Sequence, residues 1–195
     1  MSVTHLLYLH GFRSSPQSTK ARLLHNWLGQ HYPGVTWLAP SLPASPKEAM
    51  ALIRAETAHW PAHTSAVVGS SLGGFYASYI AWQRTWPSVV INPAVAAHTH
   101  GHRLVGNHPM WHDPSQTMAF LPSYVDELAA LALAAHQVPA NTMAIVAKGD
   151  EVLDWHDMAA HYQHAQLHLL PRGDHALSDF KPWLEPIADF LQLRG

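Results

Sequence analysis

The chain has 195 residues, 48% of them apolar and 12% charged, with 11 Lys and Arg against 13 Asp and Glu for a formal net charge of −2. That length suits one domain with a sizeable core, and the composition is too apolar for a disordered chain. The charge balance lacks the basic field that nucleic-acid binding requires, and the absence of cysteine excludes disulfide scaffolds, zinc–thiolate sites and thiol nucleophiles.

The first residues, Met1 to His5, carry no Lys or Arg, and the apolar run Leu6–Leu9 is too short for the core of a signal peptide. No run approaches the ~20 apolar residues of a membrane span. A cytoplasmic, non-membrane protein is therefore expected. Leu6 to Leu9 reads instead as a first strand buried on both faces. Ser18 to Gln30 carries Ala21, Leu24, Trp27 and Leu28 at helical spacing. Gly34 breaks that helix, and Val35–Leu38 reads as a second strand ended by Pro40 and Pro43. Pro46 suits the first turn of a helix reaching about His59, with Ser45 as its N-cap.

Ala66–Val68 reads as a third buried strand, followed by a helix from Leu72 to about Gln83. Val89–Ile91, Met143–Ala147 and Gln166–Leu170 read as further strands. Helices are expected over Trp155–His164 and Phe180–Leu193, with Pro182 and Pro186 limiting the start of the latter. Strands alternating with helices imply an α/β fold: a mostly parallel sheet of about six strands, helices on both faces and right-handed crossovers. The whole chain, 1–195, reads as one domain. Residues 93–140 interrupt the rhythm, first as an irregular His- and Pro-rich stretch, then as an Ala/Leu helix over about Ser123–His136. Such an insertion reads as lid-like or as a mobile segment.

Gly69-Ser70-Ser71-Leu72-Gly73 is a G-x-S-x-G pattern between an expected strand and an expected helix. A serine at so sharp a reversal needs neighbours without side chains at −2 and +2. Only Ser71 has them, because Ser70 has Val68 and Leu72 there. The plainer reading, a Gly-Ser turn capping a helix, does not account for that placement. A phosphate loop would need a Lys-Ser/Thr that is absent.

A serine attacking a carbonyl creates an oxyanion, and its stabilisation requires prealigned N–H donors. The backbone N–H of Leu72 is one candidate. The loop after the first strand, His10-Gly11-Phe12-Arg13, lies at the sheet edge where α/β proteins place ligands and supplies the second, Phe12 N–H. Gly11 permits close approach. His10 either braces the loop or sits as a satisfied buried histidine. Arg13 either meets an anionic substrate group or is a solvated surface residue.

The expected chain order is Ser, acid, His. Asp150 follows the strand Met143–Ala147 directly and is the first choice for the acid. Asp154 is the alternative, and Glu151 is expected to point the other way. His175, after the last strand, is the base, and its neighbour Asp174 is assigned to loop chemistry. A rival site is His98, His100 and His102, which an extended chain would align on one face, with His108, His112 and Asp113 nearby; that many imidazoles suit zinc or nickel. The plainer reading is a polar surface loop, and neither a metal nor a cofactor is assigned. A non-catalytic binding module on the same fold is a further alternative.

The stretch Leu7 to Ser18, the elbow Gly69 to Gly74, Asn92-Pro93-Ala94, Gly149 to Asp154 and His175-Ala176 together resemble the YqiA-like esterases, small bacterial α/β-hydrolases. The resemblance spans nearly the whole chain and is weakest over 98–122. It implies an abbreviated α/β-hydrolase fold lacking the two N-terminal strands of larger relatives. It also implies a triad of Ser71, Asp150 and His175, and hydrolysis of small acyl esters or thioesters without a cofactor.

Overall fold

A computed structural model describes residues 2–193; Met1, Arg194 and Gly195, the ends of the expected domain span, lie outside the described residues. Its strands are β1 (His5–Leu9), β2 (Thr36–Leu38), β3 (Ser65–Ser70), β4 (Ser88–Ile91), β5 (Gly106–Pro109), β6 (Thr117–Phe120), β7 (Thr142–Ala147) and β8 (Gln166–Leu170). Its helices are α1 (Thr19–His31), α2 (Pro46–Glu56), α3 (Leu72–Arg84), α4 (Ala97–His100), α5 (Ser123–Ala129), α6 (Trp155–His161) and α7 (Leu184–Leu191). Six strands form one parallel sheet in the order β2-β1-β3-β4-β7-β8, as the alternating pattern implied.

The apolar runs are continuous because both faces are covered. Side chains alternate along a strand, so Leu7 and Leu9 of β1 join Met50, Ile53, Phe75 and Ile80 of α2 and α3. Leu6 and Tyr8 face the other way, onto Ala21, Leu24 and Leu28 of α1 and Ile187 and Leu191 of α7. Each such Leu or Ile contributes about 1.5–3 kcal/mol by leaving water. A one-residue slip of β1 would exchange the two faces and forfeit that fit. Among the described residues no helix is long and apolar enough to cross a membrane.

Chain order reverses at β1. The chain steps from β1 out to β2, then returns to place β3 on the other side of β1. Beyond the strand ends at such a switch point lies a crevice, and the loops after β1 and β3 meet there.

Some expected boundaries move. Ser45 caps α2 as expected, accepting from Glu48 N at 3.1 Å, but α2 stops at Glu56, where buried Thr57 turns its Oγ1 onto Ile53 O at 2.7 Å. The Ala/Leu helix ends at Ala129 rather than His136. Leu131 and Val138 are drawn into the core beside Leu128, and a one-turn 3-10 helix, Ala135–Gln137, closes the bend. The last helix begins at Leu184, after a 3-10 turn, Lys181–Trp183, containing Pro182. The stretch expected to be irregular contains an antiparallel hairpin, β5–β6.

The insertion is packed, not loose. Ser45 Oγ donates to Glu127 Oε2 at 2.6 Å and Lys47 N donates to the same oxygen at 3.0 Å, which ties α5 to α2.

Candidate active site

Ser71 follows β3 directly and has φ 56° and ψ −123°. A non-glycine residue there is strained, by about 1–3 kcal/mol, and persists only where its surroundings enforce it. They do so here. Ser71 N donates to Ile91 O of β4 at 2.9 Å, and Ser71 O accepts from Gly74 N, Phe75 N and Ala94 N at 2.9, 3.2 and 3.1 Å. The glycines are required by space. A Cβ on Gly73 would overlap the carbonyl of Leu9, and one on Gly69 would overlap that of Gly73 and stand 2.7 Å from Ala77 Cβ.

Three side chains converge. His175 Nε2 lies 3.0 Å from Ser71 Oγ, and His175 Nδ1 lies 2.7 Å from Asp150 Oδ2. The Asp150 side chain is fully buried and that of His175 is 21% exposed. Asp150 Oδ1 accepts from Val152 N and Leu153 N, both at 2.8 Å, so the carboxylate is fixed before it meets the imidazole. A carboxylate can only accept. His175 Nδ1 therefore carries the proton in that bond, which leaves Nε2 as the acceptor facing Ser71.

Two residues that sequence reasoning passed over hold His175 in place. Glu151 turns toward His175, not away from it, and Oε2 accepts from His175 N at 2.9 Å. Asn92, fully buried with φ 41°, donates from Nδ2 to the carbonyls of Asp174 and His175, each at 3.0 Å. Its Oδ1 accepts from Ala147 N at 2.8 Å. Asn92 thus joins the ends of β4 and β7 to the histidine loop. The one sequence signal was an Asn-Pro after a strand, at a position where Asn tolerates positive φ. The other acids have different tasks. Asp154 caps α6 by accepting from His156 N at 2.8 Å, and Asp174 accepts from Ser178 N and Oγ at 2.8 and 2.6 Å.

The loop after β1 backs onto the serine. A Cβ on Gly11 would stand 3.1 Å from Ser71 Cβ and 3.3 Å from Ser70 O, so only glycine lets the loop come this close without a shift. His10 is buried and braces the loop. Leu42 N donates to His10 Nε2 at 3.1 Å, which obliges Nδ1 to donate to Gly11 O at 2.9 Å. Burial holds its pKa below the ordinary histidine value, consistent with that neutral form. Phe12 N–H and Leu72 N–H have no hydrogen-bond partner among the described residues. Both residues line the cavity at Ser71.

Arg13 is used in the scaffold. Its Nε donates to Pro109 O at 2.7 Å, its carbonyl accepts from Trp111 N at 3.0 Å, and its guanidinium lies 4.0 Å from the centre of the Trp111 ring. The hairpin is thereby fastened to the loop bearing Phe12.

The histidine-rich stretch does not align as an extended chain would. His98 and His100 lie on α4 and His102 in a 3-10 turn, Gly101–Leu104, where a spacing of two turns side chains about 200° apart. His108 Nε2 donates to Leu104 O at 2.7 Å. Asp113 is occupied by Ser115 and Gln116. Among the described residues no group of three or more His, Cys, Asp or Glu is placed to share a metal ion.

A family model for the uncharacterised protein family UPF0227 matches residues 5–192. The chain belongs to this family. It is the YqiA-like family that the motifs resemble. Solved structures with the same fold include Est1E from Butyrivibrio proteoclasticus, at TM-score 0.71 and 12% identity over 98% of this chain and 86% of that one. Alpha/beta hydrolase domain-containing protein 10 from mouse matches at 0.72 and 14%, over 96% and 90%. The Pyrococcus furiosus esterase Pf2001 matches at 0.65 and 16%, over 98% and 81%. The UPF0227 chain thus has the α/β-hydrolase fold.

Proposed function

We propose that the protein is a serine hydrolase of small acyl esters or thioesters that works through an acyl-enzyme. The observation that carries this reading is the hydrogen-bonded line Ser71–His175–Asp150, at 3.0 and 2.7 Å, beside two unengaged N–H groups. In this reading His175 takes the proton of Ser71, and Oγ attacks the carbonyl carbon. Phe12 N–H and Leu72 N–H hold the resulting oxyanion, each worth about 3–4 kcal/mol at the transition state. The leaving alcohol or thiol departs with the proton from His175. Water then attacks the acyl-enzyme with His175 again as base. Asp150 keeps the imidazole in the required tautomer and stabilises its charged form.

The insertion serves as a lid, with α4 and the hairpin roofing the cavity and α5 anchored to the body. That cavity, about 350 Å³, lies at the small end of ligand sites and favours small acyl groups.

The test is hydrolysis of p-nitrophenyl esters of graded chain length beside acyl thioesters. Turnover should be greatest for short acyl chains, and Ser71→Ala should lower kcat by several orders of magnitude with its melting temperature retained. Near-wild-type turnover by Ser71→Ala would refute the assignment.

A further inference from the structure

Two cavities meet at Ser71. The one under the insertion is lined by Leu72, Ala97, Leu104 and Leu153 together with Arg13, Arg103 and His108. The other, about 340 Å³, runs past the start of α1 and is lined by Tyr8, Ser14, Ser18, Lys20 and Glu151. Ser71 and His175 border both, as do Phe12, Trp111 and Val152. Both cavities thus combine apolar wall with charge, Arg13 and Arg103 in the first and Lys20 and Glu151 in the second.

Lys20 is expensive where it stands. Its Nζ donates to Ala176 O, next to His175. Burial draws its pKa down to about 8, with Asp174 and Asp150 acting in the opposite sense. A lysine whose pKa falls on folding destabilises the folded chain while it is charged. Its neighbours therefore leave the ammonium under-compensated. Ser18 is idle in a similar way. It occupies the N-cap of α1, where serine ordinarily accepts from the first turn, yet makes no cap hydrogen bond. Its Oγ is buried without a hydrogen bond of ordinary geometry, although the Tyr8 hydroxyl lies beside it. The uncapped first turn of a 13-residue helix adds positive potential. Glu151 lines the same cavity and opposes an anion, and its carboxylate accepts from His175 N.

We propose that this second cavity is the leaving-group subsite and takes leaving groups bearing a carboxylate or phosphate, held by the Lys20 ammonium and the Ser14 hydroxyl. The acyl portion then occupies the cavity under the insertion. The proposal rests on Ser71 as nucleophile. The Ser71 Oγ–carbonyl bond forms, the bond to the leaving oxygen or sulfur breaks, and that atom takes the proton His175 had accepted.

The test compares three esters: 4-butyryloxybenzoate, with the carboxylate on the leaving group; its neutral methyl ester; and phenyl hemisuccinate, with the carboxylate on the acyl side. Lys20→Met should lower kcat/KM for the first, relative to the second, by about tenfold or more, the weight of a charge-assisted hydrogen bond. Lys20→Arg should restore most of the ratio, and hemisuccinate should follow the neutral ester. In wild type the ratio should fall as pH rises through about 8, where Lys20 loses its proton, and Lys20→Met should abolish that dependence. The other titratable groups facing Lys20 are Asp174, Asp150, Glu151, His175 and Tyr8. Tyr8 is held above its ordinary range by burial, hydrogen bonds from Ser178 hold the Asp174 carboxyl below its own, and Asp150, Glu151 and His175 face all three esters alike.

An equal loss on all three esters would overturn the proposal and reduce Lys20 to a support for Ala176. A loss confined to hemisuccinate would place the anion on the acyl side and overturn it too. If no ester is hydrolysed, the reading of Ser71 fails, and calorimetric titration of Ser71→Ala with 4-hydroxybenzoate decides the subsite. Binding that is lost on adding Lys20→Met supports it; binding unaffected by Lys20, or none at all, overturns it.

Discussion

Asn92→Ala isolates the residue that sets the position of His175. The substitution removes both donors of Nδ2 and the acceptor Oδ1 from a fully buried position. Asp174 O keeps a second partner, Leu177 N at 3.0 Å. Ala147 N and His175 O keep none among the described residues. Two buried groups left unsatisfied cost about 1–3 kcal/mol each. Holding alanine at φ 41° costs about 1 kcal/mol more. The expected loss is therefore about 3–7 kcal/mol, a large share of the roughly 5–15 kcal/mol of an ordinary domain. Urea unfolding reads the global part. If the histidine loop detaches locally, the melting curve moves less and kcat on p-nitrophenyl butyrate falls instead, by about a hundredfold or more for a misplaced base. A variant with wild-type urea midpoint and wild-type kcat would refute the reasoning.

Ser71→Gly should abolish turnover yet stabilise the fold by about 1 kcal/mol in urea, because glycine accepts the φ of 56°; unchanged or lower stability would show that the elbow stores no strain. Gly29 and Gly73 should respond oppositely to alanine. Nothing lies within 4 Å of a Cβ on Gly29, so Gly29→Ala gains about 0.5–1 kcal/mol of helix propensity, whereas Gly73→Ala collides with the Leu9 carbonyl and should unfold or precipitate the protein. His10 is held neutral, so its contribution to stability is present in full above its unfolded value of 6.5 and is lost as pH falls below it. His161 is pulled in the same direction, by burial and by His98. The difference in melting temperature between wild type and His10→Gln should therefore narrow from pH 7.5 to pH 5; a difference independent of pH would contradict the buried neutral imidazole.

The parallel sheet was legible because burial on both faces leaves an unmistakable trace, a run such as Leu6–Leu9 with no polar interruption. Ser71 was legible for a steric reason. The turn tolerates no Cβ at 69 or 73, so the chain must write glycine on both sides of one serine and not the other. The convergence of Asp150 and His175 on it followed from strand order, since each lies within a few residues of the end of its strand at one edge of the sheet.

What stayed hidden depends on contacts between residues far apart in the chain. Glu151 meets His175 across 24 positions and Asn92 meets it across 83. Nothing local distinguishes either from a surface acid or a turn asparagine. The β5–β6 hairpin escaped notice because Gly106-Asn107-His108-Pro109 has neither alternation nor β-branched residues, and Arg13 and Trp111 fasten it from outside. Alanine and leucine propensity alone would carry α5 onward, but the burial of Leu131 and Val138 bends the chain instead. The cost of placing Lys20 at Ser71 is likewise invisible until the cavity exists.

The central claim is that Ser71 is a nucleophile activated by His175, and covalent labelling with a fluorophosphonate tests it most directly. Intact-mass and peptide analysis of the folded protein should find one adduct, on Ser71, absent from Ser71→Ala and formed orders of magnitude more slowly by His175→Ala. Folded wild-type protein that stays unlabelled, or that carries its adduct elsewhere, would contradict the account.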